Sequence, residues 1–266
     1  MNPYNRMLTN PDTPFAITES FKEIRTNMLY TARDVECPIY AVTSCFAHAG
    51  KSIVIANLAR SFSELGKRVL LIDCDLRSPV QHKAFLRDRS FGVSELAAGI
   101  SNDIDKAILH TDYDRLDLLP SGHIPPNPAE LLASENFANL LKTLQERYDS
   151  IFIDFPPAGV VVDALVPANL ITGYVLIIRS GADVRKGVSS LVSSLNSVGA
   201  KILGFVLNDT NPKLSSYYGK GDRYKYKKRY RSYSYAYTHP TTKTKPMVEE
   251  GEIKTDETIA SDSASE

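Results

Sequence analysis

Tryptophan is absent from this 266-residue chain, and cysteine occurs only three times, at Cys37, Cys45 and Cys74. An odd set without metal-ligand spacing excludes a disulfide framework and fits a reducing compartment. Long apolar runs are also missing, since none approaches the ~20 residues that cross a bilayer. The opening residues, MNPYNRMLTNPDTP, contain no apolar secretory core, so the chain is expected to stay in the cytoplasm. Net charge is zero too, but only as a sum of unlike parts. Residues 213–245 carry +9, residues 246–266 carry −6, and the rest of the chain carries −3. Charge blocks of this kind mark unfolded interaction segments.

What is present is a globular composition, 43% hydrophobic, which excludes wholesale disorder. Apolar runs at 38–44, 68–74, 116–120, 150–155, 173–179 and 201–208 read as strands, several of them apolar at successive positions, as in strands covered on both faces. Helical patterns at 51–65, 127–147 and 183–198 alternate with them. An amphipathic helix is expected over Thr18–Tyr30, with Thr18 as its N-cap. The fold class is therefore α/β, a mostly parallel sheet flanked by helices, with loops after the strands gathered along one edge. After Asn208 the pattern ends. The expected organisation is a flexible N-terminus over 1–14, a folded domain over 15–210 and a flexible tail over 211–266.

Three segments carry chemistry. Val42–Ser52 (VTSCFAHAGKS) reads as strand, loop and helix start, and Gly50-Lys51-Ser52 is the core of a phosphate loop, although Cys45 stands where its first glycine belongs. Backbone N–H groups there, including those of Ala49 and Ile53, can cradle phosphates; Lys51 would reach the β- and γ-phosphates, and the Ser52 hydroxyl would bind Mg²⁺. Val69–Arg77 (VLLIDCDLR) ends a buried strand in Asp73-x-Asp75-x-Arg77, and Ile151–Pro157 (IFIDFPP) ends another in Asp154. Carboxylates at strand ends beside a phosphate loop can hold Mg²⁺ through waters, and one can accept a proton. Asp73 is the expected base, Asp75 and Asp154 the expected metal-side acids, and Asp73 and Asp75 can exchange roles. Arg77 binds phosphate or pairs with Asp75, and Asn208 at the end of VLN is placed to reach an adenine. His48 reads as a solvated loop residue. Oxidation of Cys45 or Cys74 beside the site would block a nucleotide.

The joint pattern resembles the bacterial tyrosine kinases that regulate capsule and exopolysaccharide synthesis, which are deviant P-loop ATPases. The resemblance covers about residues 15–240. It rests on GKS, on an apolar strand followed by DxDxR, on an apolar strand followed by DxPP, on Glu19-x-x-Lys22-x-x-Arg25, and on Ser121-Gly122 with Pro126–Leu132 (PNPAELL). It implies ATP and Mg²⁺ as cofactors and autophosphorylation of a tail cluster, here Tyr217, Tyr218, Tyr224, Tyr226, Tyr230, Tyr233, Tyr235 and Tyr237. It further implies a ring-like homo-oligomer built on the Glu19/Lys22/Arg25 helix, a transmembrane polysaccharide co-polymerase-type adaptor that recruits the chain to the inner membrane face, a cognate tyrosine phosphatase, and other protein substrates. The loop departs from the family in carrying His48-Ala49 before GKS, and Lys22 stands for an arginine. Phe46 occupies the position of the signature lysine of the related partition ATPases. Two other readings stand beside this one. The first is a non-catalytic ATP-dependent switch or scaffold of the partition type. The second treats the basic tyrosine tail as a nucleic-acid or anionic-membrane contact; the accompanying family motifs decide against that, and no nucleic-acid partner is expected.

Overall fold

In the computed structural model, residues 13–180 and 185–210 are described. The tyrosine cluster and the acidic end lie outside these residues, as does most of the N-terminal segment. Among the described residues, no helix is long and apolar enough to cross a membrane.

Helix α1 (Phe15–Thr31) leads into β1 (Ile39–Ser44), α2 (Lys51–Ser63) and β2 (Val69–Asp73). Short helices α3 (Gln81–Ala84), α4 (Val93–Ala97) and α5 (Ile104–Ala107) precede β3 (Leu109–His110) and β4 (Leu116–Leu119). Then follow α6 (Pro128–Leu132), α7 (Glu135–Gln145), β5 (Ser150–Asp154), β6 (Gly173–Arg179), α8 (Arg185–Ser197) and β7 (Ile202–Asn208). The seven strands form one sheet in the order β3-β4-β2-β5-β1-β6-β7, parallel except for β3.

Every residue of β1, β2 and β5 is buried, which explains their uninterrupted apolar runs. One face packs on α1 and α2 through Tyr40, Val42, Phe62 and Phe152. The three rings meet there at centroid distances of 5.0–5.7 Å. The opposite face packs on α4, α7 and α8 through Leu70, Ile153, Phe137, Leu141 and Leu195.

Two helix expectations need correction. α1 starts at Phe15 behind Pro14, and Thr18 lies inside it rather than capping it. The helix expected over 127–147 is two, because the Ser134 hydroxyl accepts the N–H of Phe137 and starts a new helix at Glu135. Pro128 sits in the first turn of α6, where its missing N–H costs nothing.

Candidate active site

Strand order assembles the site. β5 lies between β2 and β1, and in the parallel register Asp73 pairs with Asp154, which also stands beside Val42 of β1. The two acid-bearing strand ends therefore lie side by side on one flank of the strand that feeds the phosphate loop, with β5 next to it and β2 beyond. This edge is where open α/β sheets bind their ligands.

The loop is held from several sides. Gly50, the residue before α2, has φ +93, a backbone that favours glycine. A Cβ there would also lie 2.0 Å from Asn208 Nδ2. The same Asn208 Nδ2 donates to the Ala49 carbonyl at 3.0 Å, so its placement in this structure is as a prop under the loop. His48 is left-handed as well, with φ +60. On the other flank, the Thr43 hydroxyl donates to Pro156 O at 2.7 Å and accepts from Ala158 N at 2.9 Å. The loop after β5 is thereby tied to the end of β1, just ahead of the phosphate loop.

Lys51 and the three acids are all buried, although each is charged in water. Burial dominates the carboxyl titrations. Asp154 is pushed up to about 6, with Lys51 and hydrogen bonds from Ser52 and Gln81 pulling it back down. Asp73 is pushed well above the usual carboxylate range, first by burial and then by the Asp154 charge. Asp75 is raised by burial, against hydrogen bonding from Ser78 and the charge of Lys51. One carboxylate oxygen, Asp154 Oδ1, is buried with no hydrogen-bond partner, whereas Oδ2 accepts from Gln81 Nε2 at 2.7 Å. A buried, unpartnered oxygen on an acid beside a phosphate loop has the chemistry of a site for a hard divalent cation or its water shell.

The expected base is enclosed. Asp73 has no exposed surface, and its Oδ2 accepts the N–H groups of Val80 and Gln81 at 3.1 and 2.9 Å. Its Oδ1 takes the N–H of Asp75 at 3.3 Å. Asp73 thus folds the loop after β2, whereas Asp75, 7% exposed, keeps some access to the surface. Arg77 does not pair with Asp75: Nε and one Nη reach the two oxygens of Asp163 at 2.7 and 2.9 Å. Asp163 is fully buried, so this fork ties the loop after β2 to the loop after β5. Sequence reading missed both Asp163 and Gln81. Asp163, six residues beyond DxPP in an apolar stretch, was the one available hint.

Cys45 and Cys74 are buried free thiols, and burial raises both, which disfavours the reactive thiolate. Ile53 is half-exposed on the first turn of α2. In α1, Glu19 and Lys22 form an exposed ion pair at 2.7 Å, and an Arg25 guanidinium N–H donates to the Ser61 carbonyl of α2.

A phosphate loop on a central parallel strand, with buried acids on two neighbouring strand ends, defines a P-loop ATPase-type domain; a family of AAA domains matches residues 41–214. The tyrosine-protein kinase YwqD of Bacillus subtilis is 36% identical over 212 residues, covering 78% of this chain and 88% of that protein. Among solved structures, the chimerical protein CapA2B2 superposes with a TM-score of 0.70 at 36% identity, covering 76% of this chain and 87% of the other. The kinase domain of the Escherichia coli tyrosine kinase ETK gives a TM-score of 0.71 at 31% identity, with coverages of 77% and 80%. The chain belongs to the bacterial tyrosine-protein kinase family.

Proposed function

We propose that the domain transfers the γ-phosphoryl group of ATP to tyrosine hydroxyls, including those of its own cluster at 217–237. The observation that supports this best is the enclosure of Lys51 with Asp75 and Asp154 at the loop edge of the sheet. In the transfer, the phenolic oxygen bonds to the γ-phosphorus as the bond to the β,γ-bridging oxygen breaks. ADP leaves and the phenolic proton passes to a carboxylate. Asp75 takes that proton, since Asp73 is spent on the loop after β2. Lys51 stabilises charge on the β- and γ-phosphates, and the N–H groups of Ala49, Gly50, Lys51, Ser52 and Ile53 orient them. Mg²⁺ fits the unpartnered Asp154 Oδ1 together with Ser52 and the nearby Asp75; when bound it neutralises phosphate charge. Asp154 must be ionised to serve there, and Lys51 favours that state.

The same reading includes regulation of capsule or exopolysaccharide synthesis, activation by a transmembrane adaptor at the inner membrane face, and reversal by a tyrosine phosphatase. Subunits of a ring assembled through α1 would offer tails to their neighbours. Each phosphotyrosine adds about −1.5 to −2 charges, so about five modifications would cancel the +9 of residues 213–245 and loosen that assembly. The test is Lys51→Met in the full chain, supplied with ATP, Mg²⁺ and the adaptor's cytoplasmic segment. Anti-phosphotyrosine signal should vanish; undiminished signal removes the site assignment.

A further inference from the structure

Phe46 is 49% exposed on the phosphate loop itself, an uncommon place for a large apolar ring. Its backbone is fixed, because the Ser44 hydroxyl donates to the Phe46 carbonyl at 2.7 Å. Its ring is seated as well: a Cβ on Gly187, in the first turn of α8, would lie 3.0 Å from Phe46 Cζ and 3.2 Å from Cε2. One edge of the ring thus rests on bare backbone that only glycine leaves free, and about half of the side chain stays open.

Two more exposed apolar side chains stand on the segment after β5. Val160 and Val162, 66% and 56% exposed, follow the segment that Thr43 binds to the end of β1. The Gly159 N–H, next to Val160, donates to the Ser44 carbonyl at 3.3 Å. α8 and the segment after β5 pack on the sheet face opposite α2. The apolar lip therefore lies across the loop from the helix whose first N–H groups would take the phosphates. An incoming hydroxyl has to approach from a side that the nucleotide leaves free.

We infer that Phe46 seats the aromatic ring of the acceptor tyrosine and so selects tyrosine over serine and threonine. This rests on the kinase reading above. Ring on ring in an offset or edge-on arrangement gains more than area alone, and a short aliphatic alcohol cannot make that contact.

The experiment uses the full-length protein with its adaptor segment and a synthetic peptide of residues 213–237 as acceptor. Phe46→Ala should raise the peptide KM roughly 3- to 10-fold with kcat less affected, while Phe46→Tyr restores the KM. Phe46→Leu, which keeps apolar bulk over Gly187 without a ring, should stay close to the alanine variant. Nucleotide affinity, read by a fluorescent ATP analogue, checks the loop in each variant. A peptide KM unchanged in Phe46→Ala overturns the inference, and so does a fall in nucleotide affinity that matches the rise in KM. A rescue by leucine equal to that by tyrosine also overturns it. Failure of the wild-type protein to phosphorylate any tyrosine peptide is a separate result and sinks the kinase reading itself.

Discussion

Asp154→Asn removes a charge while keeping the shape and the hydrogen bond from Gln81 Nε2. The variant imitates the protonated acid. In the folded chain Asp154 titrates at about 6, against an ordinary value of 3.8. At 1.36 kcal/mol per pH unit, the ionised carboxylate is about 3 kcal/mol less favourable folded than unfolded. Below pH 3.8 both states hold the proton and the cost is absent. As pH rises toward 6 the unfolded chain releases its proton first, so stability falls, and above 6 the whole cost is present. The Asp73 carboxyl is raised partly by the Asp154 charge, so removing that charge acts in the same direction. The nucleotide-free variant should therefore melt within about 2 °C of wild type at pH 4 and roughly 6–12 °C higher at pH 8. Mg·ATP should shrink the gap, because the ionised acid then has its cation, and tyrosine phosphorylation by the variant should be lost. Thermal melts of both proteins between pH 4 and 8, with and without Mg·ATP, test this. A variant no more stable than wild type at pH 8 would refute the claim that the buried carboxylate is held at a cost for its function.

Gly50→Ala places a Cβ 2.0 Å from Asn208 Nδ2 in a left-handed backbone; nucleotide affinity should fall sharply, with a stability loss of about 1–2 kcal/mol. Adding Asn208→Ala should return part of that stability, and a double-mutant cycle with no coupling would contradict the contact. Arg77→Ala leaves the buried Asp163 without its fork and should cost on the order of 2–3 kcal/mol in denaturant unfolding; a loss under 0.5 kcal/mol, as expected of an exposed pair, would be the wrong result. His48→Gly should change stability by less than about 1 kcal/mol, since relief of the left-handed backbone is offset by the freer unfolded chain. His48→Val should be clearly destabilised, because a branched side chain tolerates that φ poorly.

The sequence by itself determined whatever depends on neighbouring residues. Buried parallel strands show as unbroken apolar runs, a phosphate loop shows as Gly-Lys-Ser where a strand gives way to a helix, and the strand-end acids follow their own strands directly. Helix boundaries were less legible, because Ser134 as a cap competes with an apolar pattern that runs on through it. β3, two residues of antiparallel edge, is too short for any period to mark. What only the tertiary structure decided is which strand lies beside which. β5 inserted between β2 and β1 places Asp73 and Asp154 in register although 81 positions separate them, and nothing local encodes that. The same holds for the different surroundings of the acids. Asp73 and Asp75 stand two residues apart in one motif; burial and the N–H groups of Val80 and Gln81 turn the first into a loop anchor and leave the second near the surface. The Arg77 fork on Asp163 and the seat of Phe46 on Gly187 likewise join segments that meet only after the sheet has formed. Local pattern specifies the elements; burial, charge and hydrogen bonding across the assembled sheet edge set the surroundings of each site residue.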